Sequence, residues 1–288
     1  MMKEAMIAIG TTAREFLRNW RTMLVFNLLY ALLLASFYLF VSTREATVWQ
    51  LVVTALAALA VPVLFFMIQA AGVSYSWTDA TEGSGTLLRR SVRNFWKLLL
   101  VSIPLILLGV GVVYLLNKLQ ARFPLPDPPP DAMSRSMAAS GTPSARLSWE
   151  TVLFPSLRLL FLALLLPLAA IHLWISIARN GFVGTLKKLH RVVACAFVPS
   201  SLFVYTVGLV AFAFIPYLLI FKRTTVEGAW LELIIFGLRL ALAFVFTLWG
   251  WIITLGALSK LAAATTETHV HEATAHEAAP LGETASVQ

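Results

Sequence analysis

Residues 10–41 read GTTAREFLRNWRTMLVFNLLYALLLASFYLFV, a basic and aromatic phrase that runs directly into an uncharged apolar stretch. A helix rises 1.5 Å per residue, so about 20 apolar residues cover the roughly 30 Å hydrocarbon core of a bilayer. Residues 22–41 meet that length and predict a membrane-spanning helix. The run exceeds the roughly 7–15 apolar residues of a secretory signal, and no small-x-small site follows Val41, so the segment is expected to be retained.

Outward from this stretch, the same criterion finds five further segments, at 48–75, 98–116, 152–178, 192–221 and 230–258. The whole chain agrees with them. Of its 288 residues, 59% are hydrophobic and only 12% charged, and the mean hydropathy is +0.82; an average soluble domain is roughly 25% charged. Lipid offers no partner to a stray backbone N–H or C=O, and a barrel would show short alternating segments, so the predicted fold is an all-α integral membrane protein with six transmembrane helices. Pro62, Pro104, Pro155, Pro167, Pro199 and Pro216 lie inside predicted spans and are expected to kink them.

Six spans place both termini and the segments 79–97 and 179–191 on one side. That side carries 13 cations against 7 on the other. The positive-inside rule then puts both termini in the cytoplasm. The formal net charge of +8 is read as a topology signal, and no nucleic-acid partner is expected.

The basic phrase recurs. Residues 85–101, GTLLRRSVRNFWKLLLV, match 10–26 without a gap at Gly10/Gly85, Thr11/Thr86, Arg14/Arg89, Arg18/Arg93, Asn19/Asn94 and Leu24/Leu99. As a helix, the first copy places Ile9, Ala13, Phe16, Leu17 and Trp20 on one stripe and Arg14, Arg18 and Arg21 on another. The second places Leu88, Val92, Phe95 and Leu99 opposite Arg89, Arg93 and Lys97, and a fainter echo before the fifth span carries Lys187 and Arg191. These cations are expected to contact anionic lipid headgroups, at about 1 kcal/mol each, while the apolar stripes sink into the acyl boundary. Three repeated hairpins, each led by an interfacial amphipathic helix, would account for the pattern. Shared pressure from the positive-inside rule would also account for it.

Two segments break the pattern. Residues 117–151 hold six prolines among Ser, Ala and Gly in the stretch FPLPDPPPDAMSRSMAASGTPSA, which predicts an external and largely disordered loop. Residues 263–288 hold four glutamates, three histidines and no cation, which predicts a disordered cytoplasmic tail. Imidazoles at 269, 271 and 276 suit Zn, Ni or Cu, but a mobile tail loses ordering entropy for every ligand it gathers, so no metal site is assigned. The lone cysteine, Cys195, falls in the predicted fifth span and excludes an internal disulfide.

Ionisable groups at membrane depth are costly, so they are the first place to look for function. Arg158 lies about two turns inside the outer end of the fourth span and Arg239 about two and a half turns inside that of the sixth, and Glu232 precedes Arg239 by seven residues on the same helix face. Two roles fit them: an outward-facing cavity for an anionic ligand with Glu232 as counter-ion, or headgroup contacts and pairings that join helices. His172, Asn27, Gln69 and Asn117 are read as hydrogen-bonded packing residues or interhelical glue.

No zinc-protease, nucleophile-elbow, phosphate-loop or EF-hand pattern occurs. Gly83, Ser84 and Gly85 resemble the serine motif of rhomboid proteases, but they stand outside any span, and Ser84 is expected to cap the second basic helix. In layout alone the chain resembles bacterial six-span proteins, including the membrane domain attached to some glycerophosphodiester phosphodiesterases. It carries no motif specific to them. The expectation is a non-enzymatic, cofactor-free protein of a bacterial cytoplasmic membrane that organises or assists other membrane proteins or copies of itself. A transporter or lipid handler using Arg158 and Arg239 is the alternative.

Overall fold

The computed structural model describes residues 2–44, 47–75, 84–123, 149–222 and 228–277. Among these every regular element is helical: α1 (Met2–Arg18), α2 (Trp20–Ser42), α3 (Val48–Tyr75), α4 (Ser84–Gln120), α5 (Trp149–Leu159), α6 (Leu166–Lys187), α7 (Leu189–Ala196), α8 (Pro199–Leu209), α9 (Ile215–Phe221) and α10 (Ala229–Glu277). Six helical stretches are long and apolar enough to cross a membrane: Trp20–Ser42, Val48–Tyr75, Gly85–Gln120, Val152–Lys187, Pro199–Phe221 and Ala229–Ala264. The Pro-rich stretch at 124–148 lies outside the described residues, as do 278–288.

Local chemistry sets the breaks. α1 ends at Arg18 because Asn19 leaves the helical region (φ −94°, ψ 74°), and its side chain accepts from the Thr22 amide to cap α2. A proline disfavours helical geometry in the residue before it; Val198 is accordingly extended (ψ 139°), and Pro199 opens α8. The fifth apolar helix therefore starts at Pro199, later than the predicted 192. Cys195 falls in the short α7 instead of a span. Gly181 breaks α6 with φ +71°, backbone that a side chain would disfavour.

Pro167 and Pro216 are each preceded by a π-helical turn, at Leu160–Leu165 and Val210–Phe214. A proline ring clashes with the carbonyl four residues back, and widening the turn relieves the clash. Both helices continue beyond it.

The core lies at one end. Phe16, Phe26, Ile68, Ala70, Val73, Leu98, Leu168, Ile171, Ile175, Tyr205, Ile252, Leu255 and Leu258 are all buried and belong to one cluster. Each comes from the half of its helix nearest α1 and the N-terminal turns of α4. Phe16 stacks at 5.9–6.1 Å against Phe26, Tyr75 and Trp249, which joins α1 to α2, α3 and α10. Two crossings at this end rest on glycine, since a Cβ on Gly208 or Gly256 would run into Thr254 or Thr12. The opposite halves of the helices carry mostly exposed apolar side chains, among them Phe37, Tyr38, Trp49, Leu108, Tyr114 and Leu238. In water such a surface would drive aggregation; toward lipid tails it is matched.

α10 continues past Lys260 to Glu277, beyond the point where the predicted unstructured tail begins. Extending a formed helix needs no new nucleus, and the segment is rich in alanine.

Candidate functional site

Three cationic segments meet the core end. α1 buries Ala5, Ala8, Thr12 and Phe16 against α8 and α10. Beside that face, Met2, Met6 and Leu17 form an exposed apolar stripe, with Ile9 and Ala13 half-buried in it. Arg14 and Arg18 are exposed on a third side. Beyond the Asn19 break, the Arg21 guanidinium lies 5.8 Å from the Trp20 ring centroid, within cation–π range. Phe16, expected on the lipid stripe, is instead wholly inside the protein. One wide apolar sector thus serves two neighbours.

The second segment is the start of α4, which runs without a break from the basic phrase into the apolar one. Leu87, Ser91, Asn94, Phe95 and Leu98 face the core. On the other side Thr86, Arg89, Arg90 and Arg93 line a cavity of about 420 Å³. Lys97 is half-buried one turn on. In the third segment Lys187 and Arg191 are exposed on either side of the break at Lys188. Thr185 anchors it inward through hydrogen bonds with the Ser176 hydroxyl (3.0 Å) and the Gly181 carbonyl (2.9 Å).

Arg158 and Arg239 are placed apart and given different partners. The Arg158 guanidinium donates to Asn117 Oδ1 at 2.7 Å and to Gln120 Oε1, fastening the start of the fourth apolar helix to the end of the third. Its Nε is buried without a partner. Arg239 donates to the Lys222 carbonyl at 2.7 Å, one of the last of the fifth helix, where a cation meets both an unsatisfied acceptor and the negative end of the helix dipole. Glu232 is exposed, and among the described residues no ion pair joins it to Arg239.

The polar side chains between helices form specific pairs. Trp249 donates to Asn27 Oδ1 (3.4 Å), Trp251 to Gln69 Oε1 (2.7 Å) and Trp174 to the Ser102 hydroxyl (3.0 Å). Asn94 donates to the Ser74 hydroxyl at 3.1 Å, and Arg179 to the Ser259 carbonyl at 3.1 Å. His172 differs from its expected hydrogen-bonded role: it is 3% exposed, and its Nε2 has no partner. Toward the open end, Leu34 and Phe37, Pro62 and Phe65, and Ile106 line an apolar cavity of about 430 Å³ between α2, α3 and α4.

No family model, curated protein or solved structure matches this chain. Among the described residues no cluster of three or more metal-ligating side chains occurs. The partners of Asn27 and Gln69, Trp249 and Trp251, escape a reading of the sequence, where they stand only as apolar positions. Two tryptophans spaced i, i+2 deep in a long apolar run are the available signal, since a buried indole N–H needs an acceptor. Arg90 is a further residue absent from the expected headgroup contacts, although its place beside Arg89 and Arg93 is plain in the sequence.

Proposed function

We propose that the chain is a multi-pass protein of a bacterial cytoplasmic membrane, with both termini in the cytoplasm, that acts without catalysis as an organising or accessory component for other membrane proteins or for copies of itself. One observation carries this reading: the polar side chains at membrane depth largely tie one helix of the chain to another. Arg158 and Arg239, the strongest candidates for a ligand, each fasten a helix to the end of its neighbour. The orientation is supported by the excess of cations at the core end, and the bilayer setting by the exposed apolar surface of the opposite halves.

Purified protein reconstituted in liposomes tests it against anion transport. The expected result is no phosphate or chloride flux above that of empty vesicles, together with discrete protein adducts when photo-reactive side chains are placed on the open half in native membranes. Flux that disappears in the Arg158→Leu, Arg239→Leu double variant would replace this reading by transport, and adducts to lipid alone would remove the organising role.

A further inference from the structure

We infer that the start of α4 is a built binding site for one anionic phospholipid, with its phosphate in the Thr86–Arg89–Arg90–Arg93 cleft and an acyl chain along the exposed face below. The inference rests on the proposed placement of this end at the inner membrane surface. It goes further than general headgroup attraction because it assigns a defined seat and stoichiometry.

Three observations converge. First, Thr86, Arg89, Arg90 and Arg93 follow the i, i+3, i+4, i+7 spacing of one helix side and border a single open pocket of about 420 Å³, with Arg89 and Arg93 exposed to what would enter it. Guanidinium groups present forked donors that match phosphate oxygens. Arg90 and Thr86 also engage other groups of the chain, so Arg89 and Arg93 carry most of the predicted affinity.

Second, α4 is continuous through the phrase, so one stripe continues from charge into apolar surface. Arg89, Arg93, Trp96, Leu100, Ile103 and Leu107 recur at alternating steps of four and three, which keeps them on one face. The apolar members are outward, with Trp96 68%, Leu100 57%, Ile103 50% and Leu107 65% exposed. From Arg93 to Ile103 the helix rises about 15 Å, half of the hydrocarbon thickness and so the depth of one leaflet. A free phosphate would need only the upper part of that stripe, whereas a phospholipid uses all of it.

Third, the matching phrase near the N-terminus lacks this geometry. There the break at Asn19 puts Arg14 and Arg18 on α1 and the apolar run on α2, so no single helix face joins them. That copy serves as the internal control.

Native mass spectrometry of the full-length protein, titrated with phosphatidylglycerol against phosphatidylcholine, tests the site. One phosphatidylglycerol should be retained at low excess, and Arg89→Gln with Arg93→Gln should weaken retention by roughly thirtyfold, while Arg14→Gln with Arg18→Gln should change it little. Trp96→Ser should also weaken retention of the lipid. Inorganic phosphate should not compete; stoichiometric competition by it would mean a free-anion site and overturn the lipid assignment. Equal loss from both arginine pairs, or no retained lipid in the wild type because the chain's own acidic residues neutralise the cleft, would overturn it as well. If the glutamine pair reduces folded yield, Arg89→Lys with Arg93→Lys keeps the charge but loses the fork, and unchanged retention there would count against the site. None of these outcomes depends on whether the protein organises partners or transports anions.

Discussion

The Tyr205 hydroxyl donates to the Ala163 carbonyl at 2.8 Å, and Ala163 stands four residues before Pro167. Proline has no N–H, so this carbonyl loses its ordinary helical donor, and a side chain from the neighbouring apolar helix supplies one. Tyr205→Phe should lower stability by about 1 kcal/mol, seen as a reduced melting temperature in detergent. In a Pro167→Ala background, where a backbone N–H is restored, the same change should cost less. A strictly additive double-mutant cycle would contradict this coupling.

Gly208 lies against Thr254 where α8 crosses α10. Gly208→Ala should force the two helices apart or Thr254 out of its rotamer, at a cost of roughly 1–3 kcal/mol. Thr254→Ala in the same chain should recover only part of that loss, because the Cβ at 254 would still stand 2.9 Å from the new methyl. Thermal unfolding of the two single variants and the double variant reads it directly.

Arg158→Leu removes the fastening of α5 to Asn117 and Gln120, leaving those two side chains without their donor. The expected loss is about 1–3 kcal/mol, with lower membrane abundance. Arg158→Lys should restore only part of it, since both bonds come from the one terminal nitrogen Nη2, which lies one bond farther out than a lysine ammonium reaches. Full recovery by lysine would show that charge alone matters there.

Lys260 and Glu15 form a 2.7 Å ion pair between α10 and α1, but both side chains are substantially exposed. Lys260→Met should therefore shift stability by no more than about 1 kcal/mol. Phe16→Ala, in the buried aromatic cluster beside it, should cost roughly 3–5 kcal/mol. Comparing the two melting curves separates packing from pairing as the force that holds α1.

The six apolar helices were legible because a bilayer imposes a length and a composition on any segment that crosses it, and residues 48–75 have the same bounds in sequence and structure. The fifth helix was less so. An apolar run at 192–198 looks continuous with the residues after it, and only the conformational restriction that Pro199 places on Val198 ends it. The repeated phrase was visible, yet its matched asparagines diverge: Asn19 caps a new helix, while Asn94 sits inside a continuous one and donates to Ser74. Identity at a position does not carry geometry when the surrounding packing differs. The placement of Arg158 and Arg239 likewise depended on which helix ends lie beside them, a tertiary fact that spacing along one helix does not contain.

The lopsided core has a physical consequence for how this molecule responds to its surroundings. Where side chains interlock, the shape is set by the polypeptide; the far halves of α2, α3, α4 and α10 present exposed apolar side chains instead, whose arrangement a surrounding bilayer would set. A thicker or stiffer bilayer would then change the splay of those ends while the knot around Phe16 and Ile252 stays shut, coupling membrane mechanics to form at one leaflet only.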